Sequence, residues 1–216
     1  MKDGKDDPPS PMPRNSAATI ARILAGAEME FGTKGLDGAK VEEIAQAAGI
    51  SKQLIYHYFN GKDDLYSEML ATIARRNYEK LIAPDYDAMA PLDAVRTFFE
   101  ILFDAYQADP FSATVTMDQG LHGGAQVRYN RGVERLRETL RAQLGRVLDR
   151  GRASGEIVPE CDVAMLHFLA VVVATGCLSL RPMFLRYTGD DPQGSLGDES
   201  RWRASICDFF LRGVRA

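Results

Sequence analysis

VEEIAQAAGISKQLIYHYFNGKDDL, Val41 to Leu65, holds two short runs of helical spacing on either side of one glycine. In the first run Val41, Ile44, Ala45 and Ala48 recur at three- and four-residue steps, which places them on one helix face. Gly49 stops it, because glycine takes the left-handed backbone of a helix C-cap without a steric cost. The second run opens at Ser51, whose hydroxyl is placed to accept the N–H of Leu54, with Ile50 and Ile55 at staple spacing. Ile55 and Phe59 point inward from it, and Lys52, Gln53, Tyr56 and His57 outward. A further helix opens at Lys62, with Asp63 and Asp64 in the first turn, where negative charge suits the helix dipole.

A short helix with an apolar inner face and a polar outer face fits the major groove of DNA. Gln53 is suited to adenine, and Lys52 to guanine acceptors or a phosphate. The Tyr56 hydroxyl suits a phosphate oxygen, and Ser51 stands beside it at the helix start. Lys62 and the free N–H groups of the helix it opens converge on one phosphate. His57 either touches the backbone of the duplex or is a solvated surface group. Leu54 either reads a thymine methyl or packs.

Net charge argues the other way, at −4 for the chain. The first 80 residues carry 11 basic and 12 acidic groups, so the field of the whole unit does not draw DNA. The attraction must be local, and between Ile44 and Lys62 no acidic side chain occurs.

Outward from this stretch the chain reads as all-α, about nine helices with no strand pattern or internal repeat. Residues 1–14, rich in Pro, Asp and Lys, read as a disordered arm. Ile20, Ile23, Leu24, Ala27 and Phe31 form a helical stripe that Gly32 and Gly35 are expected to end. The helix from Lys62 is expected to reach about Leu81, with Leu65, Met69, Leu70 and Ile73 inward. Helices follow from Pro91, from Pro110 to about Leu121, from about Gln126 to Ala153, from Cys161 to Tyr187 and from Ser200 to Val214. A Gly/Asp/Pro loop is expected over 188–198. The Cys161–Tyr187 segment is apolar all round, which predicts burial on more than one side. The longest unbroken apolar run, Phe168 to Ala174, is far short of the roughly 20 residues of a membrane span, so no membrane partner is expected.

Three cysteines (Cys161, Cys177, Cys207) lack metal-ligand spacing and fit a reduced, cytoplasmic compartment. No phosphate loop or Cys/His pairing supports an enzyme, and no metal or cofactor is implied. The aromatic stripe containing Phe99, Phe103 and Tyr106 reads as core, part of it lining a cavity. Asp118, Gln119, His122 and His167 are candidate polar groups for orienting a small effector, and a structural role is the alternative for each histidine. In the last two helices Ala170, Ala174 and Cys177 offer small side chains for close approach, and Trp202, Ile206, Phe209 and Phe210 offer bulk. They read as a homodimer interface of two helices per subunit, or else as an intramolecular core.

Phe31–Gly32, Gly35–Leu36, Val41, Ile44–Ala45, Ala48–Gly49–Ile50–Ser51, Ile55–Tyr56, Tyr58–Phe59, Lys62 and Leu65 together resemble the TetR/AcrR family of transcriptional regulators. The likeness is dense over about 50 residues, the N-terminal third, and extends beyond it only in plan. It implies a DNA-binding unit over 15–76 and an effector-binding and dimerisation body over 77–216. The function it implies is a homodimeric repressor, released from a pseudo-palindromic double-stranded operator by a small molecule. An effector-independent DNA-binding protein is the alternative. The chain departs from the family pattern at Ala39 and Lys40, where hydroxyl residues are usual, at Leu54, and at Gly61 in place of a Ser cap. The lost cap before the second helix costs about 1 kcal/mol unless Asp37 or Gly38 substitutes. Lys40 is expected to take over the phosphate contact of the missing hydroxyl.

Overall fold

The computed structural model describes residues 14–124, 130–189 and 196–216. Among them the chain forms nine helices: α1 (Arg14–Gly38), α2 (Val41–Ala48), α3 (Lys52–Tyr58), α4 (Lys62–Ile82), α5 (Pro91–Ala108), α6 (Pro110–Leu121), α7 (Arg131–Ser154), α8 (Val163–Tyr187) and α9 (Glu199–Arg212). A 3-10 turn, Tyr86–Ala88, joins α4 to α5, and one isolated bridge pairs Ile157 with Arg215. The all-α expectation holds. The arm over 1–13, the expected helix start at Gln126 and the centre of the 188–198 loop lie outside the described residues.

Caps set most boundaries. Asn130 accepts the N–H groups of Gly132 and Val133 at 3.0 and 3.1 Å and starts α7. Asp162 accepts from Met165 at 2.7 Å and starts α8. α1 departs from expectation, because it runs through Gly32 and turns at Gly35, where φ is +68°. Gly32 does not terminate the helix. A Cβ there would lie 2.5 Å from the Phe111 ring of α6, so the glycine lets two helices approach.

Two apolar cores form. Ile23, Phe31, Ile44, Ile55, Leu65 and Met69 close the first around α1–α4, and Val115 of α6 reaches into it. Phe98, Phe99, Phe103, Leu144, Leu166 and Phe210 anchor the second around α5 and α7–α9. Each such side chain contributes about 1.5–3 kcal/mol by leaving water. α4 belongs to both, since Ile73 lies in the first core and Leu81 in the second. A continuous helix therefore crosses the 76/77 boundary expected from the sequence.

α8 overturns one expectation. Over its length only Leu166, Ala170, Ala174 and Thr175 are buried, so the helix is inward on one face and not on several. An 18-residue window of this 25-residue helix has mean hydropathy 2.2, so the helix is long and apolar enough to cross a membrane, although no unbroken apolar run showed it. The helix is nonetheless a wall of the second core, through those inward residues.

Candidate nucleic-acid interface and internal cavity

The turn between α2 and α3 is built by backbone geometry. Gly49 sits at φ +64° and its N–H closes on Ala45 and Gln46 carbonyls. Arg22 of α1 donates to the Ala48 and Gly49 carbonyls at 2.5 and 3.0 Å and pins the turn to the first core. Ser51 caps α3 as expected, its Oγ accepting the Leu54 N–H at 3.3 Å. Ile55 and Phe59 are buried beneath, which leaves Lys52, Gln53, Tyr56 and His57 exposed on the outer face. Leu54 is half-buried at the rim between the two.

Lys52 is held by Glu42 of α2 and lies 5.5 Å from the Tyr56 ring centroid. Both partners of that ion pair are solvent-exposed and screened by water, so releasing the lysine to a phosphate costs little. Lys62 stands 3.3 Å from the Ala39 carbonyl and 3.4 Å from that of Asp37, tying the start of α4 to the α1–α2 connection. Lys40 is the N-cap residue of α2, its side chain exposed and making no cap bond. Neither Asp37 nor Gly38 substitutes for the missing cap; Glu42 and Glu43 in the first turn offset it through the helix dipole. Gly61 is more than a lost serine cap. Its φ of +124° suits glycine, and Asp64 reaches back to the Asn60 N–H at 2.8 Å to close the helix start.

A half-open cavity of about 580 Å³ lies between α4, α5, α6, α7 and α8. Of the seven side chains expected there, the structure places Tyr106, Gln119 and His167 on its wall. Phe99 and Phe103 do not line it; both are fully buried, Phe99 stacked on Phe210 at 4.2 Å and Phe103 edge-on to Trp202 at 5.4 Å. Asp118 and His122 do not line it either, because they face the DNA-reading unit: Asp118 bonds Tyr66, and His122 lies 3.5 Å from Asp37. Asn77, Tyr78 and Thr116 take their place on the wall. Carrying the stripe of α4 on from Leu70 and Ile73 to 77, 78 and 81 finds the first two of these, since all five positions line the cavity. Burial lowers the pKa of His167, which keeps its imidazole neutral at pH 7. Burial raises the thiol pKa of all three cysteines, Cys207 to about 11, so none is a ready nucleophile.

His122 gives the junction a pH dependence. Its Nδ1 lies 2.9 Å from the Asp118 carbonyl oxygen and its Nε2 faces the Asp37 carboxylate, and these contacts raise its pKa above the ordinary value. A raised folded-state pKa stabilises below the unfolded value of about 6.5, and the gain is lost as pH climbs through the folded value. The urea midpoint of the wild type should therefore fall between pH 6 and pH 8 by more than that of His122→Gln. Equal falls for the two proteins would remove His122 as the cause.

The dimer-interface expectation needs correction. Ala170, Ala174 and Phe210 point into their own protomer's core, and Trp202 and Ile206 are also buried there. Small side chains on α8 serve close packing inside the subunit. The outward face of this helix pair is instead Met165, Phe168, Val172, Phe184, Tyr187 and Phe209, all exposed. Cys177, Trp202, Ile206 and Phe209, four of the expected interface residues, do line an open apolar groove on that side.

A seven-residue helix with a polar outer face, set on a three-helix support and joined to a hollow helical body, defines a helix-turn-helix DNA-binding regulator. Residues 23–69 match the model of bacterial regulatory proteins of the tetR family, and 91–209 match that of the tetracyclin repressor-like C-terminal domain. The chain belongs to the TetR family. It is 25% identical to the HTH-type transcriptional repressor NicS of Pseudomonas putida, over 91% of this chain and 92% of that one. To the HTH-type transcriptional repressor SCO4008 of Streptomyces coelicolor it is 27% identical, over 85% and 91%. A TetR family transcription regulator from Marinobacter aquaeolei superposes with a TM-score of 0.68 at 16% identity, covering 94% of this chain and 98% of that one. The fatty acid degradation regulator FadR of Bacillus halodurans gives 0.60 at 20%, covering 90% and 99%; both show the shared fold. The protein is a DNA-binding transcriptional regulator.

Proposed function

We propose that the protein acts in the cytoplasm as a homodimeric repressor on a pseudo-palindromic operator and leaves it when a small molecule fills the body cavity. One observation carries this reading: α4 and α6 wall the cavity and also pack into the core that supports α3. Anything that changes the cavity therefore acts on elements that hold the recognition helix. In a dimer two such helices would enter successive major grooves about 34–36 Å apart. A ligand that favours a different spacing shifts the population away from the DNA-bound geometry. The division of labour follows: residues 15–76 read DNA, and residues 77–216 bind effector and partner.

The cavity volume suits a drug-sized molecule. Its wall is mostly apolar, with neutral hydrogen-bonding groups at Asn77, Tyr106 and Gln119, and charge enters only from Arg137, Glu138 and Arg141 of α7. A thermal-shift screen of chemically varied molecules tests the reading, since a binder at a hundredfold its Kd adds about 2.7 kcal/mol. Each hit should also release the protein from DNA upstream of its own gene in a mobility-shift assay. Stabilising hits that never release DNA would sink the effector reading.

On the DNA face, Lys40, Ser51, Lys52, Gln53, Leu54, Tyr56, His57 and Lys62 are the proposed contacts. Gln53→Ala should relax discrimination at one base pair by about 1–3 kcal/mol. Lys40→Ala should weaken binding to all sequences alike and lower the salt slope by about 1. Anisotropy titrations at several salt concentrations separate the two behaviours. An unchanged slope for Lys40→Ala would remove it from the phosphate contacts.

A further inference from the structure

α6 works on two sides at once. Thr116 and Gln119 form part of the cavity wall. From the neighbouring face Asp118 reaches out of the body: its Oδ2 accepts the Tyr66 hydroxyl of α4 at 2.7 Å and the Leu36 N–H of α1 at 3.3 Å. The two donors sit on the helices that precede and follow the α2–α3 pair. Gly35 makes the second bond attainable. Its φ of +68° turns the end of α1, and a Cβ there would lie 2.9 Å from Asp118 Oδ1.

We propose that Asp118 is the positioning residue that couples occupancy of the cavity to the pose of the DNA-reading unit. The inference rests on the cavity being the effector site. α6 is a rod of 12 residues, about 18 Å long, so a ligand that displaces Thr116 and Gln119 displaces Asp118 with them. Tyr66 and Leu36 must follow, because the alternative strands a mostly buried carboxylate without its donors.

The other contacts of α6 with the DNA-reading unit are poorer transmitters. Phe111 over Gly32 and Val115 in the first core are apolar, and apolar contacts slide without breaking, while His122, just past the end of α6, meets an Asp37 side chain that solvent screens. At the opposite end Asp109 meets Arg76, which also holds Glu28 of α1. Arg76 is 40% exposed, against 14% for the Asp118 side chain, so solvent screens that pair far more. It serves as the pivot and Asp118 as the lever. Burial, and then the carboxylate, push the Tyr66 pKa upward, so the phenol remains a donor at any working pH.

The test places bulk in the cavity without needing the natural effector. Val171→Trp, on the α8 wall and remote from the DNA-reading unit, serves as the filler. Operator affinity of the full chain is measured by anisotropy on DNA selected with the wild-type protein. Val171→Trp should change it at least about fivefold, the lower end of allosteric couplings. In an Asp118→Ala background the same filler should change it less than about twofold. Asp118→Asn, which keeps an oxygen for Tyr66, should restore most of the response. Should Asp118→Ala fail to fold, Tyr66→Phe removes the same bond from the other side and should lose the response equally. A full response to the filler with Asp118→Ala or Tyr66→Phe overturns the role of Asp118 and leaves the cavity reading standing. No response even in the otherwise wild-type chain overturns both.

Discussion

Val172→Arg should convert the protein to a monomer and lower its operator affinity by about 10²–10⁴-fold, the gain that linking two half-site contacts provides. The reason lies on the outer face of α8 and α9. Phe168 is 62% exposed, Tyr187 78% and Phe209 74%, with Met165, Val172 and Phe184 between them. A large exposed apolar patch is uncommon on a monomer, which supports the proposed dimer interface here. A two-fold contact uses the same patch on both subunits, so one arginine enters the interface twice. Burying each without a partner costs several kcal/mol. Val172 is already half-exposed within its own subunit, so helical content should not change. Leu121→Arg is the control. Leu121 is 87% exposed on α6, away from this face, and its replacement should leave mass and affinity alone. Sedimentation velocity and anisotropy check both variants. A Val172→Arg protein that stays dimeric and binds normally would sink the proposed interface.

The helix-turn-helix was legible almost to the residue. Val41–Ala48 and the start of α3 at Ser51 stand as expected because spacing, caps and a left-handed glycine are all local signals. The faces of α8 were not legible. A helix apolar on every side carries no periodicity, so nothing local decided that Ala170 and Ala174 turn inward while Phe168 and Val172 turn out. The same limit misassigned Asp118. Its partners Leu36 and Tyr66 lie 82 and 52 residues away, and a polar residue near a cavity looks alike whether it faces ligand or protein. Tyr106, the one member of the aromatic stripe with a polar atom, does lie on the wall, as does His167. Phe99 and Phe103 have no polar atom, and composition alone does not separate core from lining.

That last distinction yields the second large effect. Phe99→Ala should destabilise the protein by about 3–5 kcal/mol, the usual cost of emptying a buried phenylalanine site. Phe99 is fully buried, stacked face to face on Phe210 of α9 and tilted against Phe103 at 6.1 Å. Removing the ring therefore deletes contacts that fasten α9 to α5, beyond the apolar area alone. The neighbours are long, rigid helices and cannot collapse into the space. At about 2–4 °C per kcal/mol for a chain of this size, the melting temperature should drop by roughly 6–20 °C at fixed protein concentration. Phe99→Leu keeps much of the volume and should cost well under half as much. Urea unfolding of the three proteins decides the matter. A lining residue would behave differently: its truncation enlarges a cavity that already exists, leaving stability nearly unchanged while ligand affinity moves. If Phe99→Ala loses less than about 1 kcal/mol and alters ligand binding instead, Phe99 belongs to the effector site and the second core is built otherwise than described.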